Sequence, residues 1–405
     1  MMYYIHEMQK SMFALAITLA DATKDLFTRP FSPFAHSPFA RNIAANNEVF
    51  VRLMRRYEKP EFGIDQVQIG NKAVAVTEVK VMVKPFCTLL HFHRDIAKQA
   101  PKLLIVAPLS GHFATLLRDT VRTALQDFDV YVTDWVDAKM VPLSEGPFHL
   151  QDYVQYLIDF LHHLGEGTHT LAVCQPTVPV MAATSLMAEA NDPCAPRSMI
   201  LMGGPVDARK SPTSVNAFAQ GKAHSWFVNR VIMRVPPNYP GFMRKVYPGF
   251  LQHASFLAMN PDRHTQAHQD FYHHLVRGDG ESAEAHRKFY DEYNAVLDMA
   301  AEYYLDTIQM VFHEYQLPLG TMTMLGQSVR PAAISKTSLF TIEGELDDIA
   351  GIGQTEAAHA LCVNIPEKKR KHLLAQGVGH YGVFSGRRYR EMIYPQIRDF
   401  IFAAE

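Results

Sequence analysis

Two rhythms of apolar and polar residues run along this chain, and the place where one gives way to the other divides it. Residues 64–69, 73–86 and 88–93 alternate Val-type and polar positions, the period-2 pattern of half-buried strands. Residues 102–108 form a short continuous apolar run instead, as suits a strand covered on both faces of a parallel sheet. Residues 113–128 follow with Phe113, Leu116, Leu117, Val121, Ala124, Leu125 and Phe128 at helical spacing. Further strands are expected at 130–135, 168–174 and 199–204, with a helix over 149–164 and another opening at Thr177. Strand and helix alternating in this way predict a mostly parallel sheet with helices on both faces.

The alternation stops after Gly204. Residues 205–331 are rich in Pro, Met and aromatic residues and hold no clear buried-strand run, although 289–312 read as a long helical pattern. This segment is expected to be a helical cap inserted into the sheet domain. Strand pattern returns at 337–342 and 372–374, and 389–404 reads as a closing helix. The first 60 residues read as helices interrupted by a Pro/Ser/Phe-rich stretch at 29–39, with a helix expected over 41–57. Residues 11–22 loosely resemble the apolar region of a signal peptide, but Glu7 and His6 precede them. Met8, Met12, Leu15, Leu19 and Phe27 suit one face of an amphipathic helix, the reading adopted here. The expected organisation is therefore a helical segment at 1–60, a core at 61–204, a cap at 205–331 and a second core piece at 332–405.

Composition narrows the function classes. The 405 residues are 48% hydrophobic, ample for a large core, and the formal net charge of -2 gives no electrostatic reason to expect nucleic acid or an anionic surface. No apolar run is long enough to span a bilayer. The four cysteines (Cys87, Cys174, Cys194 and Cys362) are scattered, with neither C-x-x-C nor zinc spacing, so reduced thiols, a cytoplasmic chain and no metal site are expected.

One cysteine stands apart. Cys174 ends the strand pattern of 168–174 and is followed by Gln175-Pro176 and a helix start, which is where α/β-hydrolases expose their nucleophile. Both box glycines are replaced, by Ala172 and Pro176. Strand ends further along supply Asp347, with Asp348 as an equally acidic neighbour, and then His380 on a glycine-flanked loop. Nucleophile, acid, histidine is the chain order of that fold. A histidine beside the thiol would take its proton, and a carboxylate would hold the other ring N–H. The backbone N–H of Gln175 and one from the loop after residues 102–108, favoured at Ser110 over Leu109 and Gly111, are the expected oxyanion donors. His112, Trp226 and Phe242 are candidate substrate contacts, though the aromatic residues of the cap suit cap core as well.

Together with the 131–137 segment Tyr-Val-Thr-Asp-Trp-Val-Asp and the Val-Cys-Gln-Pro turn at 173–176, this trio resembles the intracellular polyhydroxyalkanoate (poly-3-hydroxybutyrate) depolymerases. The resemblance implies an α/β-hydrolase fold, Cys174 as nucleophile, Asp347 as acid and His380 as base. It further implies action on polyester granules in the cytoplasm. No cofactor is expected, with coenzyme A a candidate acyl acceptor through a thioester intermediate, and a homo-oligomer is compatible with the chain. The alternatives are an acyltransferase resembling the polyhydroxyalkanoate synthases and a non-catalytic granule-binding protein.

Overall fold

The computed structural model describes residues 2–28, 37–96, 100–259 and 261–405. Nine strands form one central sheet: β1 (Gln66–Ile69), β2 (Lys72–Lys84), β3 (Cys87–Arg94), β4 (Lys102–Val106), β5 (Asp129–Trp135), β6 (His169–Val173), β7 (Ser198–Met202), β8 (Ser338–Gly344) and β9 (Arg370–Ala375). Their spatial order is β1-β2-β3-β5-β4-β6-β7-β8-β9. β1, β2 and β3 pair antiparallel, and β3 pairs antiparallel with β5. From β5 to β9 every pairing is parallel. That parallel block carries the most apolar strands, because helices cover it on both sides: β6, β7 and β8 are buried at every position. The exchange of β4 and β5 relative to chain order, with helical crossovers between parallel strands, makes this the α/β-hydrolase fold.

Each strand expected from the apolar pattern forms, with ends within a few residues. The helix expected over 113–128 is shorter, a 3-10 turn at Ala114–Leu117 leading into Arg118–Ala124. The helical segment inserted between β7 and β8 also holds a small sheet of three short strands, Met233–Arg234, Lys245–Tyr247 and Met299–Ala300. That sheet breaks the long pattern of 289–312. The helix Gly280–Tyr293 stops, Met299 and Ala300 pair with Tyr247 and Val246, and helix resumes at Ala301–Thr307 before a π-helical turn, Ile308–His313. Backbone pairing to a distant strand overrides local helical propensity here.

Two helices precede the sheet, α1 (Met2–Thr28) and α2 (Pro38–Met54). Most of the Pro/Ser/Phe-rich interruption lies outside the described residues; its end is the N-cap Ser37, whose side chain accepts from the Ala40 N–H, with Pro38 in the first turn. No helix among the described residues is long and apolar enough to cross a membrane.

A buried polar network fastens α1 to the rest. The Tyr3 hydroxyl donates to Asp298 Oδ2 at 2.6 Å, and Asp298 Oδ1 accepts from the Gly249 N–H at 2.8 Å. Asp137 Oδ1 accepts from the Asp298 N–H, and its Oδ2 pairs with Lys139. Burial, reinforced by the charge of Asp137, pushes the Asp298 carboxyl up to about 7. A carboxyl with a raised folded pKa holds its proton more tightly than the unfolded chain does. Its contribution to stability is therefore present at acid pH and is lost as pH rises from about 4 through about 7. Asp298→Asn removes that slope. The melting-temperature difference between variant and wild type should grow with pH across this window, by the equivalent of roughly 1–3 kcal/mol. Parallel curves in differential scanning calorimetry would contradict it.

Candidate active site

Cys174 follows β6 directly. Its N–H continues the sheet ladder by donating to Met202 O at 2.7 Å, and its carbonyl accepts from the Thr177 N–H at 3.2 Å. Between those bonds the chain reverses sharply, and Cys174 takes φ +68°. A non-glycine residue in this region stores strain, and such residues cluster where a side chain must be presented rather than packed. The following Pro176 has φ -60° and starts the helix Thr177–Glu189, a turn proline enters without losing a needed donor. The result is a strand–turn–helix elbow with the sulfur at its tip.

Since Ala172 and Pro176 stand where the box glycines would, the room for this elbow comes from the neighbouring strand. Gly203 and Gly204 follow β7, with Gly204 against the elbow. A Cβ on Gly204 would lie 2.0 Å from Thr177 Oγ1 and 2.3 Å from Cys174 O. Gly204→Ala therefore cannot be accommodated without moving the elbow. We expect loss of esterase activity by more than about 100-fold or failure to fold, read by activity and circular dichroism; a folded variant of normal activity would refute this account.

The acid and the histidine arrive on two loops that are hydrogen-bonded to each other. After β8, the Leu346 N–H donates to Val378 O and the Glu345 N–H to Ala375 O, while the Gly377 N–H donates to Glu345 Oε2. Asp347 is thereby turned inward. Its Oδ1 accepts from the N–H groups of Ile349 and Ala350, both at 2.9 Å, and its Oδ2 meets His380 Nδ1 at 2.8 Å. The His380 ring also lies within electrostatic reach of Cys174. Of the two adjacent carboxylates, Asp347 is the one paired with histidine, and its side chain is fully buried; Asp348 is exposed. Burial alone would lower the pKa of His380, but the negative charge at Cys174 and at Asp347 raises it well above the ordinary imidazole range. Of the three groups predicted from sequence, His380 and Asp347 are hydrogen-bonded, and Cys174 lies within electrostatic reach of the ring.

The other thiols differ. Cys87 and Cys362 are fully buried, and burial pushes Cys362 up to about 12. Burial and the charge of Asp192 also raise Cys194.

The loop after β4 lies beside the elbow. Trp135 Nε1 and the Tyr153 hydroxyl both donate to Ala107 O, at 2.8 and 3.2 Å, which fixes the point where that loop leaves the sheet. Among the described residues, neither the Gln175 nor the Ser110 N–H is taken up by a hydrogen bond. Gly111 has φ +117°, and a Cβ there would lie 2.6 Å from Gln252 Oε1. The cap grips the same loop: the Leu297 N–H donates to Gly111 O, and His112 Nε2 bonds Tyr293 O at 3.1 Å while its ring stacks on Phe256 at 4.8 Å. Burial lowers the His112 pKa to about 4, so its ring is neutral across the physiological range.

Trp226 and Phe242 are not brought to this place. Trp226 packs edge-on against Phe218 and Phe227 in a small cap cluster with Ala219 and Ile308. Phe242 is 48% exposed beside Gly241, which lies against the carbonyls of Lys139, Ala138 and Val141. Among the described residues no ring contact or hydrogen bond joins either to Cys174 or His380.

One residue near the sulfur escapes sequence reasoning. Tyr303 is 1% exposed, stacks on Tyr153 with ring centroids 5.6 Å apart, and lies within electrostatic reach of Cys174. Nothing in its local pattern distinguishes it from other aromatic residues of the cap. Elsewhere, Glu343, Glu356 and His372 bring potential metal-ligand atoms within 4.8 Å of one another. The Glu343 carboxylate is, however, already engaged by the N–H groups of Gly353, Thr355 and Glu356.

The chain was compared with known proteins. Similar solved structures include the 2-hydroxy-6-oxo-6-phenylhexa-2,4-dienoate hydrolase of Rhodococcus sp. strain RHA1, at 10% identity over 81% of this chain and 99% of that one, with a TM-score of 0.46. A monoacylglycerol lipase of Paleococcus ferrophilus has 11% identity over 76% and 97%, with a TM-score of 0.42. A thermophilic esterase of Thermogutta terrifontis has 12% identity over 81% and 98%, with a TM-score of 0.43. No curated protein sequence matches the chain. Residues 203–405, half of the chain, match the family described as PHB de-polymerase C-terminus, and they contain both the Asp347 and His380 loops. On that match, and with the hydrolase sheet order beneath it, the chain belongs to the PHB depolymerase C-terminus family and is a carboxylic ester hydrolase.

Proposed function

We propose that this enzyme depolymerises poly(3-hydroxybutyrate) with Cys174 as nucleophile, His380 as general base and acid, and Asp347 as the group that orients the imidazole. The observation that carries the reading is Cys174 at φ +68° on a strand–helix elbow, within electrostatic reach of a histidine whose Nδ1 is held by a buried carboxylate. His380 accepts the thiol proton, and the sulfur attacks the ester carbonyl. The N–H groups of Gln175 and Ser110 stabilise the oxyanion. His380 then protonates the departing alkoxide, which frees a hydroxyl-ended chain and leaves a thioester on Cys174. Water, activated by the same histidine, releases 3-hydroxybutyrate or a short oligomer.

Because acyl exchange between thioester and thiol is nearly balanced, coenzyme A is a second acceptor in this reading, giving a 3-hydroxyacyl-CoA and the free Cys174 thiol. The uncharged aliphatic polyester accords with a chain of net charge -2. The reading places the enzyme in the cytoplasm at polyester granules. The test is product analysis on native amorphous granules, with and without coenzyme A. Release of 3-hydroxybutyrate or oligomers is expected, with acyl-CoA added when coenzyme A is supplied. Intact granules under both conditions would sink the substrate assignment, and identical products would remove coenzyme A.

A further inference from the structure

The exposed side of α1 carries a repeat that the hydrolase site does not use. Ile5, Met8, Met12, Leu15, Leu19, Ala22 and Leu26 follow one another at alternating steps of three and four residues. All seven are exposed, Met12 at 77%, Leu15 at 69% and Leu19 at 60%. The opposite side is occupied. Tyr3 and Ala20 are buried, His6 stacks on Phe250 at 4.1 Å, and Glu7 accepts from Arg56 and from the Tyr239 hydroxyl. The helix is thus fastened to the body along one side and presents an apolar line on the other.

We propose that this line is a coiled-coil seam that pairs α1 with α1 of a second copy of the chain. The spacing decides the shape of the partner. A strict three-four repeat makes a narrow stripe that stays in register with another helix, whereas a flat apolar surface calls for a broad one. Exposed Gln9, Ser11 and Thr18 flank the line, with exposed Tyr4 at its N-terminal end. The flanking positions also favour a like partner. Of Tyr4, Gln9, Ser11, Ala16, Thr18, Thr23 and Asp25, only Asp25 is charged, so the flanks carry almost none of the charge pattern that would select a different helix. Ile5, Met8, Met12, Leu15, Leu19 and Leu26 are 45, 51, 77, 69, 60 and 54% exposed, so a partner helix along the seam has six large apolar side chains to cover toward the roughly 800 Å² per partner of a stable interface. The helix of 27 residues is long enough for three heptads.

The test is the mass of the full chain by sedimentation equilibrium at micromolar concentrations. Wild type should sediment at twice 45.8 kDa. Met12→Glu combined with Leu19→Glu places charge in the seam and should raise the dimer dissociation constant by more than about 100-fold. Turnover of a short soluble ester per subunit should stay unchanged, which also reports that the variant is folded. Ala22→Leu fills the one small seam position and should tighten the dimer by about tenfold. A monomeric wild type overturns the proposal, as does a double variant that remains dimeric or a leucine variant no tighter than wild type. A monomeric wild type whose granule binding is lost in the double variant would make the face a polyester-docking surface instead.

Discussion

Cys174→Ala should lower ester cleavage by about 10⁴-fold or more while leaving the protein folded and able to associate with granules. The magnitude follows from what is removed. Without the sulfur there is no covalent intermediate, and His380 and Asp347 lose the group on which they act; in such units, loss of the nucleophile alone costs nearly as much as loss of all members. Alanine at this position keeps the φ of +68° that the elbow imposes, and Gly204 already provides the space beneath it. The substitution is therefore expected to change chemistry and not fold. Cys174→Ser separates two kinds of site. A hydroxyl is far harder to deprotonate than a thiol, so a site built for sulfur should lose most of its rate. Cleavage persisting in the alanine variant, measured on granules and on a soluble ester, would dismiss Cys174 as nucleophile.

Asp347→Asn should lower kcat by about 10³- to 10⁴-fold with little change in KM. An asparagine can keep the bonds from Ile349 and Ala350 through its oxygen. That presents its NH2 group to His380 Nδ1, and the ring must then carry its proton on the nitrogen facing Cys174. In this tautomer it can no longer accept the thiol proton. The pH dependence follows from the same charge. In the wild type the charges at Cys174 and at Asp347 hold the His380 pKa well above the ordinary imidazole range. Removing the carboxylate lowers that pKa. Alkylation of Cys174 at neutral pH should slow, because the imidazole no longer helps to remove the thiol proton. The pH profile of alkylation, followed by mass spectrometry, checks this; an unchanged profile in a folded variant would leave Asp347 without the role assigned to it.

The strands of the parallel block were legible because burial on both faces demands apolar residues at consecutive positions, a constraint local enough to read directly. β6 and β8 show it in full, with every residue buried. The candidate chemistry was legible for a related reason: Cys174 and Asp347 each follow such a strand, His380 follows the partly exposed β9 beside them, and strand ends on one side of a parallel sheet converge. Legibility failed where backbone is claimed by a distant partner. Asn294 to Ala300 continue a helical pattern yet leave the helix, because Val296 bridges to His112 and Met299 pairs with Tyr247.

By itself, the sequence determined the order of elements, the parallel sheet, and that Cys174, one of two adjacent aspartates and His380 stand after strands with the chemistry of a nucleophile, an acid and a base. The tertiary structure alone decided between Asp347 and Asp348. The bonds from Leu346 to Val378 and from Glu345 to Ala375 turn one carboxylate to the imidazole and leave its neighbour in solvent. It also decided that His112 bonds the Tyr293 carbonyl, that Trp226 belongs to the packing of the cap, and that the apolar line of α1 faces outward. Side-chain spacing reports periodicity along one element. Which face meets which neighbour depends on where the rest of the chain has already packed.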